Sequence, residues 1–133
     1  MTGTTQALHD LPAHALLRAY RERSLSPVEV MHDLLAHVQR WEPALGATYL
    51  LRPEAALAQA RASEARWLRG EPAGLLDGVP ATVKDNIATR GDPTPVGTAA
   101  MPQVAAPLDA PPAARLGEAG AILFAKTTMP DYG

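Results

Sequence analysis

Apolar residues along the chain fall alternately into stripes of helical spacing and into short uninterrupted runs. This pattern predicts helices and buried strands following one another in an α/β fold. Asp10 can cap a first helix from Leu11 to about Arg23, with Pro12 in its first turn and Leu16, Leu17 and Tyr20 forming a narrow stripe suited to the surface. A second helix carries a sharper signature. Ser26 and Glu29 stand at capping-box spacing, Pro27 takes the first helical position, and Met31, Leu34, Leu35, Val38 and Trp41 recur on one face. This helix should run from Pro27 to about Trp41, ahead of Glu42 and Pro43.

Ala47 to Leu51 reads as a short strand, and Pro53 opens a third helix with Leu57, Ala60, Trp67 and Leu68 on one face, closed by Gly70. Its alanines (Ala55, Ala56, Ala58, Ala62, Ala65) favour helix and permit close packing. Asp77 and Gly78 form a turn pair before the strand-compatible run Val79 to Val83. Strand, helix and strand from Ala47 to Val83 then make a βαβ unit, for which parallel pairing and a right-handed crossover are expected. Gly91 to Pro112 is a proline-rich loop, long enough in a compact domain to be functional or a linker. Asp109 is positioned to cap a fourth helix from about Ala110 to Glu118, and Ala121 to Ala125 follows Gly120 as a buried strand.

Composition narrows the function classes. With 133 residues, 47% hydrophobic and 20% charged, the chain has the make-up of one soluble globular unit rather than a disordered one. A net charge of −2 without any lysine or arginine cluster gives no footprint for nucleic acid or an anionic membrane. The absence of cysteine excludes disulfides, thiolate metal sites and a cysteine nucleophile, while leaving the redox compartment open. The N-terminal MTGTTQALHD has neither the basic start nor the apolar core of an export signal, and no stretch approaches the roughly 20 apolar residues of a membrane span. A cytoplasmic protein is expected.

Chemistry concentrates in LLDGVPATVKDNIATRGDPTPVG, from Leu75 to Gly97. Lys84 falls at the carboxyl end of a strand, where open α/β sheets place their ligands. Apolar neighbours there would strip its charged form of hydration, lower its pKa and make the neutral amine available as a base, while Asp85 pulls the other way. Taken alone, a lysine after a strand is usually a solvated loop residue.

The motif changes that weighting. Gly78, Val79 and Pro80, then Val83, Lys84, Asp85 and Asn86, resemble the lysine segment of the amidase signature family, serine hydrolases that cleave carbon–nitrogen bonds of amides. The resemblance implies that Lys84 is the lysine of a Ser, cis-Ser, Lys triad, activating the nucleophile through the bridging serine. Asp109, Ala110, Pro111, Arg115, Leu116, Ala119, Gly120, Lys126 and Thr127 match a second family segment, in which a helix leads into a strand and K-T. Ala125 stands where that segment usually has glycine, and Gly117 is a poor helix residue, so the resemblance fixes local geometry least at those two points.

What the resemblance implies for organisation is the N-terminal portion of a single amidase domain: a helical region over 1–45 and, over 46–133, the start of an α/β core contributing to a mixed sheet. The family's nucleophile and bridging serine lie in a glycine- and serine-rich segment that is not among these residues. Ser24, Ser26 and Ser63 are the serines present, in a turn, a cap and a helix. The chain by itself is therefore expected to be inactive, with a small-molecule amide as substrate of the complete enzyme and no cofactor. Uncovered strand edges would favour a homo-oligomer or a complementing C-terminal chain.

Competing signals carry less. GAILFAKT, from Gly120 to Thr127, is one residue short of a phosphate-binding loop, but Ile122, Leu123 and Phe124 place a hydrophobic strand where the glycine-rich turn should be. Lys126 then reads as the polar exit of a buried strand, with a supporting role beside Lys84 as the alternative. His32 and His37, five residues apart, diverge by about 140° on a helix. His9 and His14 share that spacing and lack further ligands, so no metal is assigned. Two other functions stay open: a glutaminase resembling the A subunit of glutamyl-tRNA amidotransferase, and a non-catalytic interaction domain derived from the fold.

Overall fold

The computed structural model describes residues 7–133; the N-terminal MTGTTQ of the export reading lies outside them. After a short 3-10 turn at Leu8–Asp10, the order is α1 (Ala13–Glu22), α2 (Pro27–Leu45), β1 (Thr48–Leu51), α3 (Pro53–Arg69), β2 (Pro80–Lys84), α4 (Pro111–Glu118) and β3 (Ile122–Thr127). The three strands form one mixed sheet in the order β1-β3-β2.

Local chemistry starts and stops these elements. At the head of α2 the Ser26 hydroxyl accepts from the Glu29 N–H at 3.1 Å and the Glu29 carboxylate accepts from the Ser26 N–H at 2.8 Å, the reciprocal capping box read from the sequence. This helix passes Pro43, which removes one backbone donor, and ends a turn later than expected at left-handed Gly46, whose N–H reaches the Glu42 carbonyl at 2.8 Å. The expected caps Asp10 and Asp109 do not serve. α1 starts behind Pro12 and α4 behind Ala110, neither with a side-chain cap. Asp109 instead accepts the Arg90 N–H at 2.6 Å, tying the loop before α4 to the turn after β2. α4 runs through Gly117 unbroken, and Ala125 is buried within β3.

Parallel pairing of β1 and β2 is corrected by the topology. β1 pairs antiparallel with β3, which lies between the two and runs parallel to β2. The βαβ unit is thus β2-α4-β3, and α3 covers the sheet rather than linking two parallel neighbours. Its buried stripe is Ala56, Ala60, Ser63 and Trp67, while Leu68, expected on the inner face, is exposed. Small residues on that stripe let α3 approach closely, and Met31 from α2 joins Ala56, Ala60, Ile122, Phe124 and Ala125 in the main core. Leu16, Tyr20, Val30 and Trp67 form a second cluster that fastens α1.

Between α3 and β2 the chain is pinned by Asp77, whose carboxylate is fully buried. Arg66 grips it with both ends of the guanidinium fork, at 2.9 and 2.6 Å, and the Ala73 N–H donates at 2.8 Å. The Asp77 carbonyl accepts from the Trp67 indole at 3.1 Å, and the next carbonyl, of Gly78, accepts from the buried Tyr20 hydroxyl at 3.3 Å. Gly78 is obligatory here: its φ is +83°, and a Cβ would lie 2.6 Å from Ser63 Oγ. Burial opposes ionisation of Asp77, but Arg66 and the Ala73 N–H outweigh it and hold the carboxyl below its ordinary range.

Arg66→Ala leaves Asp77 buried without its partner and should cost about 3 kcal/mol in urea unfolding at neutral pH, the low end for a buried pair because the arginine is partly exposed. A carboxyl with a lowered folded pKa stabilises above its unfolded value of about 3.9 and loses that contribution as pH falls through the folded value. The acid limb of stability against pH should therefore be shallower in Arg66→Ala than in the parent chain.

Candidate active site

β2 delivers Lys84 to the carboxyl edge of the sheet, in register with Thr127 of β3. The strand then turns sharply. The Asp85 N–H donates to the Thr127 carbonyl at 2.9 Å, extending the ladder by one residue, and the Ile87 N–H closes a turn on the Lys84 carbonyl at 2.9 Å. Lys84 and Asn86 are exposed on this turn while Asp85 between them is buried. The desolvation expected of Lys84 is therefore not found: the buried lysine is Lys126.

Two irregularities put Lys126 where simple alternation would not. Between Ala81 and Thr82 the register with β3 jumps from Leu123 to Ala125, so Phe124 is extra, and Phe124 and Ala125 both enter the core against α2 and α3. After that bulge the faces are exchanged, and Lys126, paired with Val83, lies on the side of the sheet away from those helices. A matching shift in β1 leaves Tyr49 unpaired between Thr48 and Leu50. Tyr49 and Lys126 meet there, with the lysine Nζ 5.5 Å from the ring centre.

The loop from Gly91 to Asp109 closes over this face as a strap. Bridges join Arg90 to Ala106 and Pro93 to Ala105, and the Asp92 carboxylate is held by Arg52 and by the Thr89 hydroxyl, the latter at 2.6 Å. The Pro93 carbonyl accepts from the Tyr49 hydroxyl at 2.5 Å and, at a longer 3.4 Å, from Lys126 Nζ. Burial pushes the Tyr49 phenol up to about 12, with Asp85 adding to the shift and Arg52 opposing it. Burial likewise lowers the Lys126 pKa, and Asp85 works against that fall.

Further along the strap, Val96 and Gly97 both adopt left-handed backbone, φ +53° and +75°. Their N–H groups converge on the Asp85 carboxylate at 3.1 and 2.8 Å, a small backbone nest for an anion. The Val96 carbonyl accepts the Tyr132 N–H at 3.0 Å, so the strap also holds the segment after β3. Asp85, Tyr49, Gly97, Thr98, Gln103 and Thr128 surround an open cavity of about 310 Å³.

The other sequence candidates are dispersed. Ser26 is consumed by its cap, Ser63 is buried under Gly78, and Ser24 donates to the Ala19 carbonyl at 3.4 Å. His14 and His32 are exposed, whereas His37 stacks on His9 at 3.8 Å and His9 Nδ1 lies 2.6 Å from Asp33 Oδ2. Among the described residues no group of three metal-ligating side chains comes together.

A lysine at the carboxyl edge of a helix-covered mixed sheet, followed by a buried aspartate, marks an α/β scaffold that presents a basic group at a strand end. The family model described as Amidase matches residues 29–133, and the chain belongs to that family. The A subunit of glutamyl-tRNA(Gln) amidotransferase from Trichodesmium erythraeum is 38% identical over 108 residues, covering 81% of this chain and 22% of that protein. Its counterpart from Pseudomonas putida is 36% identical over 125 residues, covering 94% and 26%. Among solved structures, a bacterial aryl acylamidase of the amidase signature enzymes superposes with a TM-score of 0.86 at 26% identity, covering 96% of this chain and 27% of that one. The peptide amidase of Stenotrophomonas maltophilia superposes with a TM-score of 0.79 at 26% identity, covering 97% and 26%. The chain thus spans about a quarter of the length of these relatives.

Gly97→Ala tests the strap. A Cβ there would stand 2.4 Å from the Pro130 carbonyl oxygen, on a backbone that also disfavours side chains. The substitution should cost about 2 kcal/mol in urea unfolding. It should also release the Tyr132 amide to fast hydrogen exchange while β3 amides stay protected.

Proposed function

We propose that this chain carries the base-bearing part of an amidase, in which Lys84 is the lysine of a Ser, cis-Ser, Lys triad whose two serines come from residues outside this chain. The observation that carries it is the placement of the G-V-P…V-K-D-N lysine: exposed at the carboxyl end of β2, on a turn held by backbone hydrogen bonds on both sides. Further support comes from the three serines present, each engaged in a cap, a turn or a packed helix face.

In the complete enzyme the neutral Lys84 amine takes a proton from the bridging serine, which takes one from the nucleophilic serine as its oxygen bonds to the amide carbonyl carbon. The tetrahedral adduct breaks its carbon–nitrogen bond as the proton held by Lys84 returns through the bridging serine to the departing nitrogen. Water then adds to the acyl carbon, giving its proton along the same relay, and the acid leaves as the nucleophilic serine regains its hydrogen. No step calls on a cofactor. Completion of the site by the rest of a longer chain or by a complementing C-terminal chain fits the open outer edge of β2, whereas a second copy of this chain would cover that edge without supplying the serines. We extend the proposal to a cytoplasmic setting; no helix among the described residues is long and apolar enough to cross a membrane.

A second reading is favoured by one finding, the name shared by the relatives at 36% and 38% identity: an ammonia-releasing component of a glutamyl-tRNA amidotransferase. Glutamine hydrolysis that depends on partner subunits would select it over a free-standing amidase.

Ammonia release from aliphatic and aromatic amides and from glutamine should be measured for this chain and for the longest reading frame that contains it, each with and without Lys84→Ala. Turnover is expected only in the longer frame, falling about 10²–10⁴-fold on removal of the base. Unchanged turnover in Lys84→Ala, or hydrolysis by the present chain itself, overturns the proposal.

A further inference from the structure

Lys126 is a buried charge that the reaction proposed above leaves unused. It is 2% exposed, and a lysine is rarely so buried without partners that define its use. Those partners are the Pro93 carbonyl at 3.4 Å and the face of Tyr49, whose hydroxyl donates to the same carbonyl. Two donors therefore converge on one point of the strap. Three residues further on, Val96 is a β-branched residue at φ +53°, a conformation that persists only where its surroundings over-determine it and that concentrates at functional sites. Here the determinants are the Asp85 carboxylate in front, accepting from Val96 and Gly97, and the anchored Pro93 behind.

We propose that Lys126 is a positioning residue for Lys84: by holding Pro93 it seats the strap so that Val96 and Gly97 fix Asp85, and Asp85 fixes the turn that carries the adjoining lysine. This inference rests on the base role assigned to Lys84. Asp85 is held through its side chain by the strap and through its N–H by the Thr127 carbonyl, the residue after Lys126. Lys84 is left with its own side-chain torsions as its remaining freedom. The Lys126 ammonium also acts electrostatically on the buried Asp85 carboxylate, whose hydrogen-bond donors are the Val96 and Gly97 amides.

Amide hydrogen exchange in this chain reads that positioning independently of turnover. Lys126→Met should speed exchange of the Val96 and Gly97 amides at least about tenfold, with the Ile122 amide of β3 unchanged and Lys84→Ala leaving all three as in the parent. Unchanged protection of Val96 and Gly97 in Lys126→Met overturns the proposal, whatever Lys84 does. If Lys126→Met does not fold, the near-isosteric Asp85→Asn replaces one of the two acceptors by a donor; the same loss of protection is then expected, and its absence overturns the proposal.

Turnover in the longest reading frame supplies the second arm. Lys126→Met should lower kcat per folded molecule about tenfold with KM within about twofold of the parent. Lys126→Arg keeps the cation and its donors, has the adjoining cavity to occupy, and should restore most of kcat. A loss that Lys126→Arg does not restore assigns Lys126 to packing alone and overturns the proposal. Full activity of Lys84→Ala would remove the base reading while the exchange result still decides whether Lys126 holds the strap.

Discussion

Both ends of β2 are set by a buried carboxylate, and most of the structure is arranged to make those two burials tolerable. Asp77, before the strand, needs the Arg66 fork from α3 and the Ala73 amide. Asp85, after it, needs the Val96 and Gly97 amides from the strap, with Lys126 nearby. An ionised carboxylate in the interior is costly unless its oxygens are paired and hydrogen-bonded, so each fixes the segments that supply its partners. The first ties β2 to the helical layer, and the second ties its far end to the strap and, through Val96, to the residues after β3.

Lys84 gains its position from this constraint without being buried by it. The strand presents the lysine at an open edge, exposed and flanked by ladder hydrogen bonds, while Asp85 and Lys126 are both buried behind it. Such an arrangement keeps hydrogen-bonded support on one side of the lysine and leaves its amine open to solvent, as the proposed base role requires. Membership of the amidase family accords with such a division: the present chain spans about a quarter of its relatives and holds the one residue proposed above for the triad.

Much of this is legible in the residues. The capping box of α2, the glycine after α3, the Asp77-Gly78 turn and the K-D-N motif are local signals, because each depends on neighbours within a few positions. Features that depend on distant chain are not legible. Asp109 has the look of a cap, yet it faces Arg90, nineteen residues away. β1 lies in the right place for a parallel partner of β2, but β3, not yet in the chain at that point, takes the position between them. Lys126 reads as the exit of a strand because alternation from Ile122 and Phe124 gives no warning of a bulge, and it is the bulge that turns the lysine toward the strap. The backbone nest at Val96 and Gly97 carries no side-chain signature at all, beyond a glycine in a proline-rich loop.

The central claim is that Lys84 works as a base rather than as a fixed charge, and Lys84→Arg in the longest reading frame that contains the chain separates the two. A guanidinium keeps the positive charge and the length of the side chain but does not surrender a proton in a protein. A base role predicts that kcat/KM of Lys84→Arg falls as far as that of Lys84→Ala, about 10²–10⁴-fold. Retention of most of the parent activity by Lys84→Arg would contradict it and assign the residue to electrostatics or packing.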